Sequence, residues 1–197
     1  MARRKARYAR STVRLFVAAI PPRALAQRLA EAAAAIAPAE LRMTPAENLH
    51  VTIHFLGEVD PDAVVALQAD LTEACNLHRP TDLTLDAITP GPPRRPRMLW
   101  ATANAPPEYT VAVNDVAAAA ARHAPDAGSA RPGTPHITLA RLRGRADLRR
   151  WPEPQPLDDA TIPLAELALV RSTLGPRGST YATLATLPLG GQSAGRR

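Results

Sequence analysis

Leu49-His-Val-Thr-Ile-His-Phe-Leu-Gly57 alternates apolar and polar positions, carries β-branched residues and stops at a glycine. That is the pattern of a half-buried strand. The same design returns at Pro135-His-Ile-Thr-Leu-Ala-Arg141. Successive side chains of a strand take opposite faces, so His50, Thr52 and His54 are expected on one face, with Val51, Ile53 and Phe55 in the core. Likewise His136 and Thr138 lie opposite Ile137 and Leu139. By this parity Arg141 belongs to the core face, and it reaches the polar face only where the strand ends or bulges.

Working outward, the apolar run Val13 to Ile20 ends at Pro21-Pro22 and reads as a buried strand. From Pro22 to Ala37 a helix is predicted, with Leu25, Leu29, Ala32, Ala33 and Ile36 recurring at helical spacing. Asp60-Pro-Asp62 opens a second helix with an inner stripe of Val64, Val65, Leu67 and Leu71. Strands are expected at Leu83 to Ile88 and Arg97 to Thr102, around a proline-rich loop from Pro90 to Pro96, and a third helix at Val111 to His123. Ala146 to Trp151 allows a helical turn or two. Leu164 to Ser172 and Tyr181 to Leu187 read as strands joined by a hairpin through Leu174-Gly-Pro-Arg-Gly178. Strands and helices are interleaved in both halves, each half carrying one His-x-Thr strand. This suggests an internal duplication: two similar lobes facing each other within one domain over residues 13–190, with a basic tail at 1–12 and a flexible tail at 191–197.

The formal charge of +6 on 197 residues invites a nucleic-acid reading. Yet Arg3, Arg4, Lys5, Arg7, Arg10, Arg14, Arg196 and Arg197 are eight of the 24 basic residues, which leaves 16 against 18 acidic ones, a nearly neutral body. Overall basicity is therefore weak evidence for a polyanion partner. Two local clusters remain: Arg94, Arg95 and Arg97, and the series Arg141, Arg143, Arg145, Arg149 and Arg150. The single Cys75 cannot form an intramolecular disulfide and no Cys/His cluster suggests zinc, so no metal or cofactor is expected and a reducing, cytoplasmic setting is the default. No run approaches the roughly 18 apolar residues that span a bilayer, so no membrane contact is expected.

His50 and His54 lie four strand residues apart, roughly 13 Å at about 3.3 Å each, too far to share one metal or one proton-transfer site. A working pair must be made across strands, from His50 and His136. An unperturbed pKa near 6.5 lets one imidazole be neutral and the other protonated, as phosphodiester chemistry requires. The hydroxyls of Thr52 and Thr138, about 6.5 Å along each strand, are placed to donate to nonbridging phosphate oxygens. A lone histidine on such a strand is more often structural, but two copies in matching strand contexts call for another explanation. His78 and His123 fall at helix ends, where the dipole favours a cation.

Asn48-Leu-His-Val-Thr-Ile-His-Phe-Leu-Gly57 and Arg131-Pro-Gly-Thr-Pro-His-Ile-Thr-Leu-Ala-Arg141 resemble the paired signatures of the 2H phosphoesterases, above all the RNA 2′,3′-cyclic phosphodiesterases, historically called 2′-5′ RNA ligases. The resemblance runs from Arg14-Leu-Phe-Val-Ala through Arg94-Arg-Pro-Arg-Met-Leu-Trp100 to Ser172-Thr-Leu-Gly-Pro-Arg-Gly-Ser-Thr-Tyr181. It implies a bilobal α+β fold with antiparallel sheets, outer helices and a central groove. It also implies hydrolysis of a 2′,3′-cyclic phosphate to a 2′-phosphomonoester, with His50 as proton donor, His136 as base, and Thr52 and Thr138 as phosphate-binding hydroxyls. Arg141 and Tyr181 match flanking positions and are carried as candidate substrate contacts. The implied partner is RNA or a nucleotide ending in a 2′,3′-cyclic phosphate, bound by a monomer. Alternatives left open are reversible 2′-5′ RNA ligation, another cyclic nucleotide phosphodiesterase activity, and a noncatalytic RNA-end binding module. Where this chain has His54, the family often has Arg or Lys.

Overall fold

The computed structural model describes residues 11–124, 134–143, 151–176 and 178–190. The expected basic tail up to residue 10, the expected C-terminal tail 191–197, and residues 146–150 of the expected helical turn lie outside the described residues.

In chain order the elements are β1 (Val13–Ala19), α1 (Arg23–Ile36), β2 (Leu41–Met43), a 3₁₀ turn at Ala46–Asn48, β3 (Val51–Val59), α2 (Val64–Asn76), β4 (Thr81–Gly91), β5 (Met98–Asn104), α3 (Pro107–Ala121), β6 (His136–Leu142), β7 (Gln155–Pro156), β8 (Thr161–Leu164), β9 (Glu166–Gly175) and β10 (Gly178–Pro188). α1 buries Leu25, Ala26, Leu29 and Ala33, whereas Ala32, expected in that stripe, is exposed. Before α2, the Asp60 carboxylate accepts the Asp62 backbone N–H at 3.1 Å, closing the turn that starts the helix. Leu67 and Leu71 are fully buried on α2, while Val65 is 80% exposed. Residues two apart on a helix do not share a face, so Val65 cannot join a stripe set by Leu67.

The strands form one ten-stranded sheet in the order β10-β9-β1-β3-β6-β5-β4-β7, with β2 added to β6 and β8 to β4. Every ladder is antiparallel. This is the expected α+β class, but the two halves share a sheet rather than owning one each. The two His-x-Thr strands, β3 and β6, join at a single residue pair, Val51 opposite Ile137. Two helices cross that junction: α1, which follows β1, packs against β6, and α3, which follows β5, lies on β3; α2 lies on β9 and β10.

Bulges decide which side chains face which way. His54 pairs with Val17 and Thr52 with Ala18, so Ile53 has no partner on β1. An extra residue in one strand flips the parity of everything after it until a second bulge restores it. His54, expected beside His50 and Thr52, is accordingly buried at 6% exposure, and Phe55, expected in the core, is 60% exposed. Leu56 is the second unpaired residue, and Gly57 follows it at φ +72°. On β6 the partners run from Thr138 opposite Trp100 to Ala140 opposite Leu99, leaving Leu139 unpaired. That bulge carries Arg141 out of the core face. The two bulges fall three residues after His50 and three after His136, so the internal repeat extends to the irregularities of the strands.

Candidate active site

The junction of the two halves positions the site. Val51 and Ile137 are the middle residues of the two His-x-Thr segments, and they face each other across the antiparallel pair. The register around them sets His50 across from Thr138 and Thr52 across from His136. The imidazoles therefore occupy one diagonal, where an ideal ladder puts side chains about 7–8 Å apart, room for one phosphate. Beyond this pair the strands part, and a groove of about 490 Å³ opens.

Its lining holds His50, Thr52, His136, Thr138, Arg141 and Tyr181, all six residues singled out in the sequence. It also holds Arg14, Phe16, Arg42, Phe55, Ser172 and Leu174. Among the described residues of the lining, three are arginines and none is acidic. The Arg94, Arg95 and Arg97 cluster is not part of the lining. A second hollow of about 500 Å³ continues the groove between Arg42 to Asn48 and Gly178 to Tyr181. Arg42 reaches the groove because β2 pairs beside Arg141 on β6. A three-residue strand carries no periodic signal, which is why its role was not legible.

Both histidines are held by the same device. His50 Nδ1 lies 2.7 Å from the Asn48 carbonyl, and His136 Nδ1 lies 2.9 Å from the Thr134 carbonyl. A carbonyl only accepts, so each Nδ1 carries the proton and donates it, which leaves Nε2 as the nitrogen available to a groove ligand. Around His50, Phe16 lies 4.9 Å away at a tilt of 36°, and Tyr181 meets it edge-on at 5.2 Å. Trp100 stacks on His136 with ring centroids 3.9 Å apart. Arg141 Nη1 lies 2.7 Å from Met98 Sδ, which braces the guanidinium at the groove wall.

Burial lowers the proton affinity of His50 most; the Asn48 carbonyl partly offsets this, and the nearby Arg141 and His136 charges lower it further. His136 is lowered for the same leading reason and by Arg141, against the Thr134 carbonyl. His54 is lowered by burial alone, and its Nε2 has no hydrogen-bond partner among the described residues. Elsewhere, His123 Nε2 lies 2.7 Å from an Asp70 carboxylate oxygen and His78 Nε2 lies 2.9 Å from Asp115, so both tie α2 to α3 away from the groove. Among the described residues no group of three or more His, Cys, Asp or Glu could hold a metal ion, and no helix is long and apolar enough to cross a membrane.

Residues 20–100 match the family model described as LigT like Phosphoesterase. TT0787 of Thermus thermophilus is 29% identical, with 91% of this chain and 99% of that one aligned at a TM-score of 0.77. E. coli LigT in apo form is 28% identical over 91% of this chain and 98% of its own, at a TM-score of 0.75. E. coli LigT complexed with 3′-AMP is 27% identical over 91% and 99%, at a TM-score of 0.74. No curated protein sequence matches at a comparable level. The fold is similar to that of the LigT-like phosphoesterases, the class the paired His-x-Thr strands resemble. Within that class, residues 20–100 are similar to the LigT-like phosphoesterases, and the chain as a whole is similar to the solved LigT structures.

Proposed function

We propose that this phosphoesterase opens 2′,3′-cyclic phosphate ends of RNA to 2′-phosphomonoesters by acid/base catalysis between His136 and His50. The observation that carries the reading is the matched anchoring of both Nδ1 atoms on backbone carbonyls at one arginine-lined groove. His136 Nε2 takes a proton from water as its oxygen attacks phosphorus. The bond from phosphorus to O3′ breaks, and the imidazolium of His50 gives its Nε2 proton to O3′. Each histidine contributes on the order of 10²–10⁴-fold. Thr52 and Thr138 donate hydroxyl hydrogen bonds to the nonbridging oxygens, and Arg141 opposes the charge that grows there. Burial lowers the proton affinity of both imidazoles in the free protein; the phosphate anion between them favours the protonated form that the acid role needs.

E. coli LigT has been solved with 3′-AMP and with ATP, which supports a nucleotide ligand here. Phe55, 60% exposed on the groove wall, offers a face on which a base stacks. The hollow beyond Arg42 gives room for chain past the reacting end. With a 5′-hydroxyl in place of water, the same steps make a 2′-5′ phosphodiester.

The test is a short RNA ending in a 2′,3′-cyclic phosphate. A mass gain of one water, with the phosphate located on O2′ by proton–phosphorus correlation, is expected. A 3′-phosphate product, or an intact cyclic end with salt-sensitive binding, would replace the proposal with the opposite regiochemistry or with the binding-module reading.

A further inference from the structure

The two histidines share an anchor but not an aromatic setting. His50 has only an edge contact with Tyr181, at 87°, and a tilted one with Phe16. His136 lies face to face with Trp100 at 3.9 Å and 26°. Trp100 reaches that place from β5, where it pairs with Thr138. Its Nε1 is buried without a hydrogen-bond partner among the described residues, so the polar end of the side chain gives no reason for an indole here. The π face does. The ring also lies against β4 at Gly91, where an added Cβ would come within 2.2 Å of Trp100 Cδ2 and Cε3. Any side chain at 91 would displace the indole.

We propose that Trp100 is a positioning residue for His136, seated by the gap at Gly91, and that its ring face stabilises the imidazolium formed there during turnover. The proposal rests on the reading of His136 as the base. An indole face attracts a cation over it more than it attracts the neutral ring, so the contact strengthens as the proton arrives and acts on the transition state rather than on substrate binding. The other charged or titratable groups lining the groove are Arg14, Arg42, Arg141, His50 and Tyr181. The arginines oppose a proton on His136; the Thr134 carbonyl and the Trp100 face favour it.

The experiment is a proton–nitrogen NMR titration of ¹⁵N-histidine-labelled full chain, with His136 assigned through His136→Ala. Trp100→Leu is expected to lower the His136 pKa by roughly 0.4–1.5 and kcat by about 2- to 30-fold, with KM little changed. Trp100→Phe, which keeps a weaker ring, falls between. Gly91→Ala moves both quantities the same way, and adding it to Trp100→Leu changes little more, because both act through one ring. A His136 pKa unchanged or raised in Trp100→Leu, with the His78 and His123 signals undisturbed, overturns the proposal. If the Leu variant does not fold, the Phe variant decides by the same criterion. The titration needs no substrate. A parent inactive on every cyclic phosphate would sink the reaction class and leave the ring contact standing, whereas an active parent with an unmoved His136 would sink this proposal alone.

Discussion

Arg141 lowers the proton affinity of both groove histidines, after burial and against the carbonyl anchors. Replacing it with Gln removes a cation from beside each ring while leaving burial unchanged, so both pKa values rise. The bell of kcat/KM against pH then moves to higher pH, and its maximum falls because a phosphate contact is lost. A profile that keeps its position, or moves to lower pH, would contradict this placement of Arg141. At this scale the sequence was informative up to the bulges. His50, Thr52, His136 and Thr138 precede them, and strand alternation places all four together correctly. His54, Phe55 and Arg141 follow them. Whether Ile53 or Leu139 finds a partner is a property of the neighbouring strand's register, and no pattern within the segment reports it. Trp100 stood in plain view within a quoted motif, but an aromatic in a strand looks the same whether it fills a core or stacks on a groove histidine.

Among the elements of the described residues, the long strands and the three helices were legible because each repeats a period over seven residues or more. β2, β7 and β8, of two to four residues, were not, since they exist only by pairing with β6 and β4. The second bulge of β3 depends on Gly57, whose φ of +72° is a conformation that side chains resist. Nothing lies within 4 Å of the place a Cβ would take, so Gly57→Ala meets no clash and costs the backbone conformation alone, about 1–2 kcal/mol. A urea titration should show that loss with an unchanged slope. An unaltered midpoint would mean that this turn relaxes freely and that the second bulge does not depend on the glycine conformation.

For the molecule as a whole, two copies of one motif were readable, but the way their strands share a sheet and α1 and α3 cross between them was not, because such pairings join residues far apart in sequence. The shared sheet has one consequence for pH. His50, His54 and His136 all have proton affinities lowered by burial in the folded chain. Between their folded values and about 6.5 the unfolded chain binds more protons, so stability is complete above that window and declines as pH falls through it. Urea midpoints at pH 7.5 and 5.5 are expected to differ in that direction; equal midpoints would show that these rings are more solvated than their surroundings indicate. The central claim is the acid/base pair itself. Phosphorus NMR of a nucleoside 2′,3′-cyclic phosphate in EDTA, with the parent, His50→Ala and His136→Ala, tests it most directly. The account predicts conversion to the 2′-phosphate by the parent, undiminished by the chelator, and a loss on the order of 10²-fold or more in each variant. Equal conversion by either variant, or parental activity abolished by EDTA and restored by added metal, would contradict it.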